Sequence, residues 1–397
     1  MSKKIAFIHH VYPLGGGEKV TSLLGEYLHK TGLYEAPYIF VSKLDRKLLL
    51  PYESQHFHFI ELPAKLQSKA SARFIIEEIN RLGINFFVMP SIRYKHLSLL
   101  KTHTQCKLIY HLHFMPSSKV LDKLSRADHN AQRKGSKLMK WLKFLTCATP
   151  ELLFGLYTWS DRRTFTKIYN RVDRFVVLCE GYRHEMEAKL GIEAQQSRIR
   201  AQYNPLQSYT LPLPQTKRNE VLFMGRLSYP DKRVDRLIRI WSQIEDRHPD
   251  WTLKIVGDGK ERGYLEKMVQ QLGLQRVKFC GYSKNVGEHY ATAAILCLTS
   301  TFEGWPLTLV EAQSMGVVPI AFDCSEGVKE IVGTDGKKGV LVEKFKEDKF
   351  AKQLSALIAD KARRDEMREE MQRSIARYDI DVIGREWTEM LDEMSHE

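Results

Sequence analysis

Residues 294–322, "AILCLTSTFEGWPLTLVEAQSMGVVPIAF", read as one complete strand–helix–strand unit. The flanking runs "AILCLTS" and "VVPIAF" are continuously apolar rather than alternating. That is the pattern of strands buried on both faces, as in parallel sheets covered by helices. Between them Gly304-Trp305-Pro306 marks a turn, and helical spacing starts near Leu307–Thr308. A helical crossover between two parallel strands implies a right-handed βαβ unit. Two acids stand out within it: Glu303 in the turn and Glu311 one turn inside the helix, with seven residues between them.

The same alternation recurs along the chain. In the first half the strand-like runs are "KIAFIHH", "APYIFVS", "FFVMPS", "KLIYHLH", "RFVVLC" and "RIRAQYN"; in the second they are "VLFMG", "LKIVG", "VKFCG", "AILCLTS", "VVPIAF" and "GVLV". Two parallel α/β sheets in tandem follow. The Pro-rich polar stretch "NPLQSYTLPLPQTKRNE" separates them, giving a domain over 1–205, a linker over 206–219 and a second domain over 220–377. Residues 378–397 form a last helix with Ile380, Ile383, Trp387 and Leu391 at helical spacing. A basic, helix-prone insertion over about 117–174 interrupts the first half.

With 397 residues the chain has room for two cores. Its six cysteines are scattered without a CxxC or His-Cys cluster, which favours reduced core thiols in a cytoplasmic protein over disulfides or zinc. The amino-terminal run carries two histidines and leads to glycines, so it reads as a strand rather than a signal peptide. Nothing approaches the roughly 18 apolar residues of a spanning helix. The net charge of +13 is uneven: residues 1–205 hold 32 Lys and Arg against 17 Asp and Glu, the remainder 29 against 31. An anionic partner of the first half is implied, namely a membrane surface, a phosphorylated lipid or a nucleic acid. No helix-turn-helix, RNP-type or zinc pattern accompanies the charge, which turns the reading away from nucleic acid. The stretch "KLMKWLKFLTCATPELLFGLY" mixes Lys137, Lys140 and Lys143 with Leu138, Met139, Trp141, Leu142 and Phe144, which suits a helix lying on an anionic membrane.

The chemistry concentrates at strand ends, where open α/β sheets bind ligands. A helix starting at Leu307–Thr308 turns its free amides and positive dipole end toward such a crevice, a setting for phosphate. Glu311 shares a face with Leu307 and Thr308 and can accept paired hydrogen bonds from vicinal hydroxyls such as those of a ribose. Glu303 can meet hydroxyls of a second sugar. The plain alternative for either acid is dipole stabilisation of the helix. In "GRLSYPDK", Arg226 and Lys232 supply charge at another strand end, able to offset a departing diphosphate. Arg233 follows Lys232 directly, and against the family pattern given below the two compete for the second place, with Lys232 preferred. In "HVYPLGGGEKV", Gly15, Gly16 and Gly17 let backbone amides approach a phosphate or sugar. The GxGxxG order of a dinucleotide site is missing, since Lys19 and Val20 stand where it would continue. Glu18 opens the following helix. "LIYHLHFMPS" ends a strand with His111 and His113, and a neutral histidine there can donate or accept a hydrogen bond.

"STFEGWPLTLVEAQSMGVVPIAFD" resembles the Glu-x7-Glu signature of the retaining GT-B glycosyltransferases of family 4. "VLFMGRLSYPDKRVDRLI", "LKIVGDGKERGYLEKMVQQLGL" and "GGGEKV" are similar to three further elements of that family, in its order. The likeness covers most of the chain and is thinnest over the basic insertion.

This resemblance implies a GT-B architecture: two Rossmann-like domains with parallel sheets facing a central cleft, the last helix crossing back to the first domain. It implies a retaining, metal-independent hexosyltransferase (EC 2.4). Such an enzyme moves a sugar from a nucleotide-sugar, with UDP the family-weighted choice, to a glycan or lipid-linked acceptor in envelope polysaccharide, lipopolysaccharide or capsule synthesis. Glu303, Arg226, Lys232 and His113 would be catalytic. Glu311, Gly16, Gly17, Gly304, Leu307, Thr308 and Tyr282 would bind the donor, the last together with Gly281 reading the base. His113 fits the family's position better than His111. Asn204 matches the family's Asn-Pro near the hinge and reads as a turn former. No cofactor and no metal is expected, and the triplet Asp379-Ile380-Asp381 reads as a helix cap. The protein would be cytoplasmic and peripheral at the inner face of the cell membrane. The competing readings are a sugar-nucleotide-binding protein without transferase activity and, further off, a Rossmann-type NAD enzyme.

Overall fold

The computed structural model describes residues 2–13, 15–116, 150–206 and 217–397, with the backbone alone over 150–158. Lys137, Lys140, Lys143 and their apolar neighbours, and most of the predicted linker, lie outside the described residues. The chain divides into two compact units. The first comprises Met1–Pro116, Ser160–Gln207 and Arg377–Glu397, and the continuous body of the second is Ser208–Ala376.

The first unit holds a seven-stranded sheet in the order β3-β2-β1-β4-β5-β6-β7. Its strands are β1 Ile5–Tyr12, β2 Tyr38–Leu44, β3 His58–Glu61, β4 Phe86–Pro90, β5 Lys107–His111, β6 Arg174–Val177 and β7 Ile199–Ala201. Every pairing is parallel. β4 and β6 are buried along their whole length, as continuous apolar runs require. β3 is the strand absent from the sequence reading. It sits at the sheet edge with exposed His58 and Glu61 at its ends, so it never shows the continuous run of a central strand.

Of the basic insertion expected over 117–174, residues 150–174 are among those described. From Ser160 onward the helix Pro150–Tyr169 belongs to the first unit, where Phe165 and Ile168 are buried and Phe165 lies edge-on to Phe175 of β6. The last helix, Ile380–His396, also clusters with this unit. Ile383, Trp387, Met390, Leu391 and Met394 share one core with Phe7, Leu24, Leu28, Val88 and Ile109. Trp387 is entirely buried, and truncating such a residue typically costs ~3–5 kcal/mol. Gly384 makes the crossing possible, because a Cβ there would lie 2.3 Å from the Tyr27 ring of helix Gly16–Lys30. Asp379 caps this helix, its carboxylate accepting from the Asp381 amide at 2.8 Å.

The second unit holds a six-stranded parallel sheet in the order β10-β9-β8-β11-β12-β13. The strands are β8 Glu220–Met224, β9 Thr252–Val256, β10 Val277–Gly281, β11 Ile295–Leu298, β12 Val318–Phe322 and β13 Val340–Val342. Both units are thus doubly wound, Rossmann-like α/β layers. Strand order reverses between β1 and β4 in one and between β8 and β11 in the other. At such a reversal neighbouring crossovers leave on opposite faces and open a crevice at the strands' carboxyl ends.

Candidate active site

In the second unit the crevice is built by the loops after β8 and β11. Gly225 leaves β8 with φ 150° and Gly257 leaves β9 with φ 135°. A Cβ on Gly257 would stand 1.8 Å from the Gly225 carbonyl oxygen, and one on Gly259 2.3 Å from that of Leu227. Only glycine permits this approach. The Gly225 amide donates to Val256 O at 3.0 Å and the Leu227 amide to Asp258 O at 2.9 Å, so "GRL" and "GDG" form one rigid floor.

On that floor the Lys232 ammonium donates to Glu303 Oε1 at 2.8 Å, joining the loop after β8 to the loop after β11 across the reversal. The Ser300 hydroxyl donates to the same oxygen at 2.6 Å. The Thr301 amide reinforces the joint by donating to the Asp231 carbonyl at 2.7 Å. Burial works against the Lys232 charge, but Glu303 in contact and Asp231 beside it hold its pKa above the ordinary lysine value. Burial likewise works to raise Asp231, yet the Ser228 hydroxyl, Lys232 and Arg226 hold it below the usual carboxylate range. Arg226 reaches Asp231 Oδ2 at 3.0 Å and otherwise projects into solvent. Two cations are therefore oriented by carboxylates.

Arg233 is placed differently. It adopts a left-handed backbone (φ 49°) as N-cap of helix Val234–Ser242 and is buried. Its guanidinium forks onto Asp235 through two 2.9 Å bonds and lies 4.1 Å from the Tyr229 ring centroid. Of the two competitors, Lys232 stands at the crevice and Arg233 is committed to the helix start.

The helix Leu307–Ser314 begins directly after this loop. Its N-cap is Pro306, which offers no side chain to the first-turn amides. Thr308 Oγ1 is buried and has no hydrogen-bond partner among the described residues. Gly304 lies in the turn that leads from Glu303 to this helix start. Glu311 is buried within the helix, where Oε2 accepts from the Tyr290 hydroxyl at 2.9 Å. Tyr282 follows β10, the outer strand two places from β8, and the residue is 75 % exposed. Gly281 before it has φ 70° and accepts from the Gly257 amide at 2.8 Å, tying that strand end to the glycine floor.

The first unit's crevice has another character. Gly15 (φ 124°) ends the loop after β1, and Gly16 and Gly17 open helix Gly16–Lys30. A Cβ on Gly17 would lie 3.9 Å from the His113 ring, so the glycine loop rests against that imidazole. His113 follows β5, its amide donating to Ser91 Oγ at 2.7 Å at the end of β4. Both of its ring nitrogens are buried without a hydrogen-bond partner among the described residues. Burial, then nearby His9, pushes its pKa down to about 3. Burial and His113 push His111 well below the ordinary value, and the two ring centroids are 3.9 Å apart. Both imidazoles are neutral at pH 7. His9 itself is buried, 3.3 Å from Glu18 through Nδ1 and 3.0 Å from Thr21 Oγ1 through Nε2.

His9, Ser91, Ser300 and Tyr290 were not singled out in the sequence. Ser300 was within reach, three residues before Glu303 in the same turn. No spacing rule joins Tyr290 to Glu311 or Ser91 to His113, because those contacts arise from strand order. Among the described residues no group of three or more His, Cys, Asp or Glu side chains could hold a metal ion, and Cys106, Cys179, Cys280, Cys297 and Cys324 are free thiols. No described helix is long and apolar enough to cross a membrane.

Comparison with known proteins gives this geometry a context. Residues 212–374 match the family described as "Glycosyl transferases group 1". The match falls within the continuous body of the second unit, Ser208–Ala376. The amylovoran biosynthesis glycosyltransferase AmsD of Erwinia amylovora is 33 % identical over 177 residues, which are 44 % of this chain and 49 % of that protein. The chain thus spans about half the length of this curated relative. Among solved structures, Anabaena Alr3699/HepE in complex with UDP matches with a TM-score of 0.73 at 18 % identity, over 98 % of this chain and 100 % of that one. WaaG, a glycosyltransferase involved in lipopolysaccharide biosynthesis, matches with a TM-score of 0.64 at 15 % identity, over 98 % and 99 %. The fold is that of GT-B glycosyltransferases.

Proposed function

We propose that the protein is a retaining glycosyltransferase of family 4 that moves a sugar from a nucleotide-sugar, with UDP as the nucleotide, to a hydroxyl of a glycan or lipid-linked acceptor in envelope polysaccharide assembly. The observation that carries the reading is the Lys232–Glu303 contact across the second unit's strand-order reversal, set beside an uncapped helix start with an unpartnered Thr308 hydroxyl. Relatives support the direction: AmsD acts in amylovoran biosynthesis, WaaG in lipopolysaccharide biosynthesis, and HepE was solved with UDP.

In this reading Arg226, Lys232 and the amides at Leu307 and Thr308 hold the donor diphosphate. Glu311 accepts from the ribose hydroxyls, Glu303 orients the transferred sugar, and the Gly281–Tyr282 backbone meets the base. The bond from the anomeric carbon to the diphosphate breaks as the bond to the acceptor oxygen forms on the same face. The acceptor's proton passes to the leaving diphosphate oxygen, whose charge the two cations offset. Gly16, Gly17 and the neutral His113 supply hydrogen bonds to uncharged sugar groups. No metal or cofactor enters this scheme, and the enzyme works peripherally at the inner face of the cell membrane.

The test is slow hydrolysis or transfer from UDP-sugars. Glu303→Ala should abolish turnover while UDP still binds by calorimetry. Turnover surviving in that variant would remove Glu303 from the reaction. A wild-type protein that binds UDP-sugar and never turns it over would be a binding protein.

A further inference from the structure

Lys217 stands just ahead of β8 in the second unit, half-buried, with its ammonium turned onto backbone carbonyls. It donates to Tyr290 O at 2.8 Å, Ala291 O at 2.8 Å and Met315 O at 2.6 Å. Tyr290 and Ala291 lie in the last turn of helix Val286–Thr292, and Met315 is the C-cap of helix Leu307–Ser314. An ammonium has three donors, and these three uncharged acceptors use them all. Burial, then Arg368, lowers the pKa of Lys217 to about 8, so at pH 7 it keeps its proton and its third donor. A lysine on the last carbonyls of one helix is an ordinary cap. This lysine ties the carboxyl ends of two helices to each other.

The same two helices are joined again by side chains. The Tyr290 hydroxyl donates to Glu311 Oε2 at 2.9 Å, and both residues are buried. Tyr290 thus meets its partner helix twice, through its hydroxyl on Glu311 and through its carbonyl, which shares Lys217 with Met315. Other contacts fix helix Leu307–Ser314 as a body. The buried Gln313 amide donates to Ile331 O at 3.0 Å and Lys338 O at 3.1 Å, and the Arg368 guanidinium donates to Gly316 O at 3.0 Å. The Tyr290 hydroxyl acts instead on the Glu311 carboxylate itself. It takes up one lone pair of Oε2 and sets the plane in which the remaining ones point.

We infer that Tyr290, backed by Lys217, is a positioning residue that sets the Glu311 carboxylate for two vicinal hydroxyls, so that this crevice selects a ribonucleoside diphosphate over its 2′-deoxy form. A carboxylate whose plane is set meets a vicinal diol through two hydrogen bonds without losing rotational freedom on binding. Fixing it also makes a missing hydroxyl costly, because a held, buried acceptor cannot turn to another donor. The ribose at Glu311 is taken from the proposed function; the linkage of Lys217, Tyr290 and Glu311 stands without it.

The test is calorimetric titration of the full chain at pH 7 with UDP and with 2′-deoxyuridine diphosphate. Wild type should bind UDP more than about tenfold tighter, the range for one hydrogen bond to a charged group. Tyr290→Phe keeps the ring and removes only the hydroxyl. It should bring the ratio below roughly threefold by weakening UDP while the deoxy form binds as before. Lys217→Met should act in the same direction. Arg368→Met loosens the same helix end without touching Tyr290, so it should lower the melting temperature and keep the ratio within about twofold of wild type. A wild-type ratio in Tyr290→Phe overturns the inference, whether or not Lys217→Met folds. An equal fall of the ratio in Arg368→Met also overturns it, since the effect would then be one of general packing. A wild type that binds no UDP contradicts the proposed function and the inference with it; one that prefers UDP while Tyr290→Phe keeps the preference contradicts the inference alone.

Discussion

The two units share one winding and place their crevices by one rule, yet the crevices differ in electrical character. At the β8/β11 reversal the side chains are ionised and paired: Lys232 with Glu303, Arg226 with Asp231. In the first unit's crevice His111 and His113 are neutral, both driven below their ordinary pKa by burial first, then His111 by His113 and His113 by His9. The first arrangement suits an anion whose charge grows during a reaction, the second a ligand recognised through hydroxyls. Topology decides where a site lies, and the polarity of a few side chains decides what it can hold.

The sharpest way to break this contrast is to remove the charge on one side. Lys232→Ala should lower kcat/KM for transfer by about 100- to 1000-fold, the range for losing a preorganised group that stabilises developing charge. Steady-state kinetics with a UDP-sugar measures it.

Acid should act on the other side. Unfolded histidines bind protons near pH 6.5, whereas folded His113 does so only near pH 3, and His111 is depressed too. The unfolded chain therefore binds more protons, and the stability these groups contribute above pH 6.5 is lost as pH falls toward 3. The slope should be about 1.4 kcal/mol per pH unit for each histidine, read from denaturant titrations in that window. His113→Phe should flatten it.

The same variant sharpens the comparison in function. It should reduce transfer about tenfold, the loss of one or two neutral hydrogen bonds, while UDP affinity stays within twofold of wild type. The smallest effect belongs to Arg233→Lys. It weakens the fork onto Asp235 but leaves the crevice untouched, so UDP affinity should change by less than about twofold; a loss like that of Lys232→Ala would move the diphosphate contact to residue 233.

Much of this was legible in the residues because it depends on local pattern. The apolar runs announced twelve of the thirteen strands among the described residues, and the turn chemistry of "FEGWPL" placed a helix at Leu307, where it begins. β3 escaped because an edge strand of four residues has no continuous run to read. Choosing between Lys232 and Arg233 needed the backbone, since a left-handed residue at 233 turns one side chain onto Asp235 and leaves its neighbour facing Glu303. The glycines of "VGDG" could be noticed as a motif. That Gly257 yields to the Gly225 carbonyl depends on two strands being neighbours, which no local pattern encodes. His9 beside His113, Tyr290 on Glu311 and Ser91 under His113 were hidden for the same reason.

The proposed reaction requires the β8/β11 crevice to hold a nucleoside diphosphate through Lys232. Calorimetric titration of UDP into the wild-type protein and into Lys232→Ala tests it most directly. Binding to wild type should be saturable, and the affinity of the variant about a hundredfold weaker. No heat with wild type, or equal affinities for the two proteins, would contradict it.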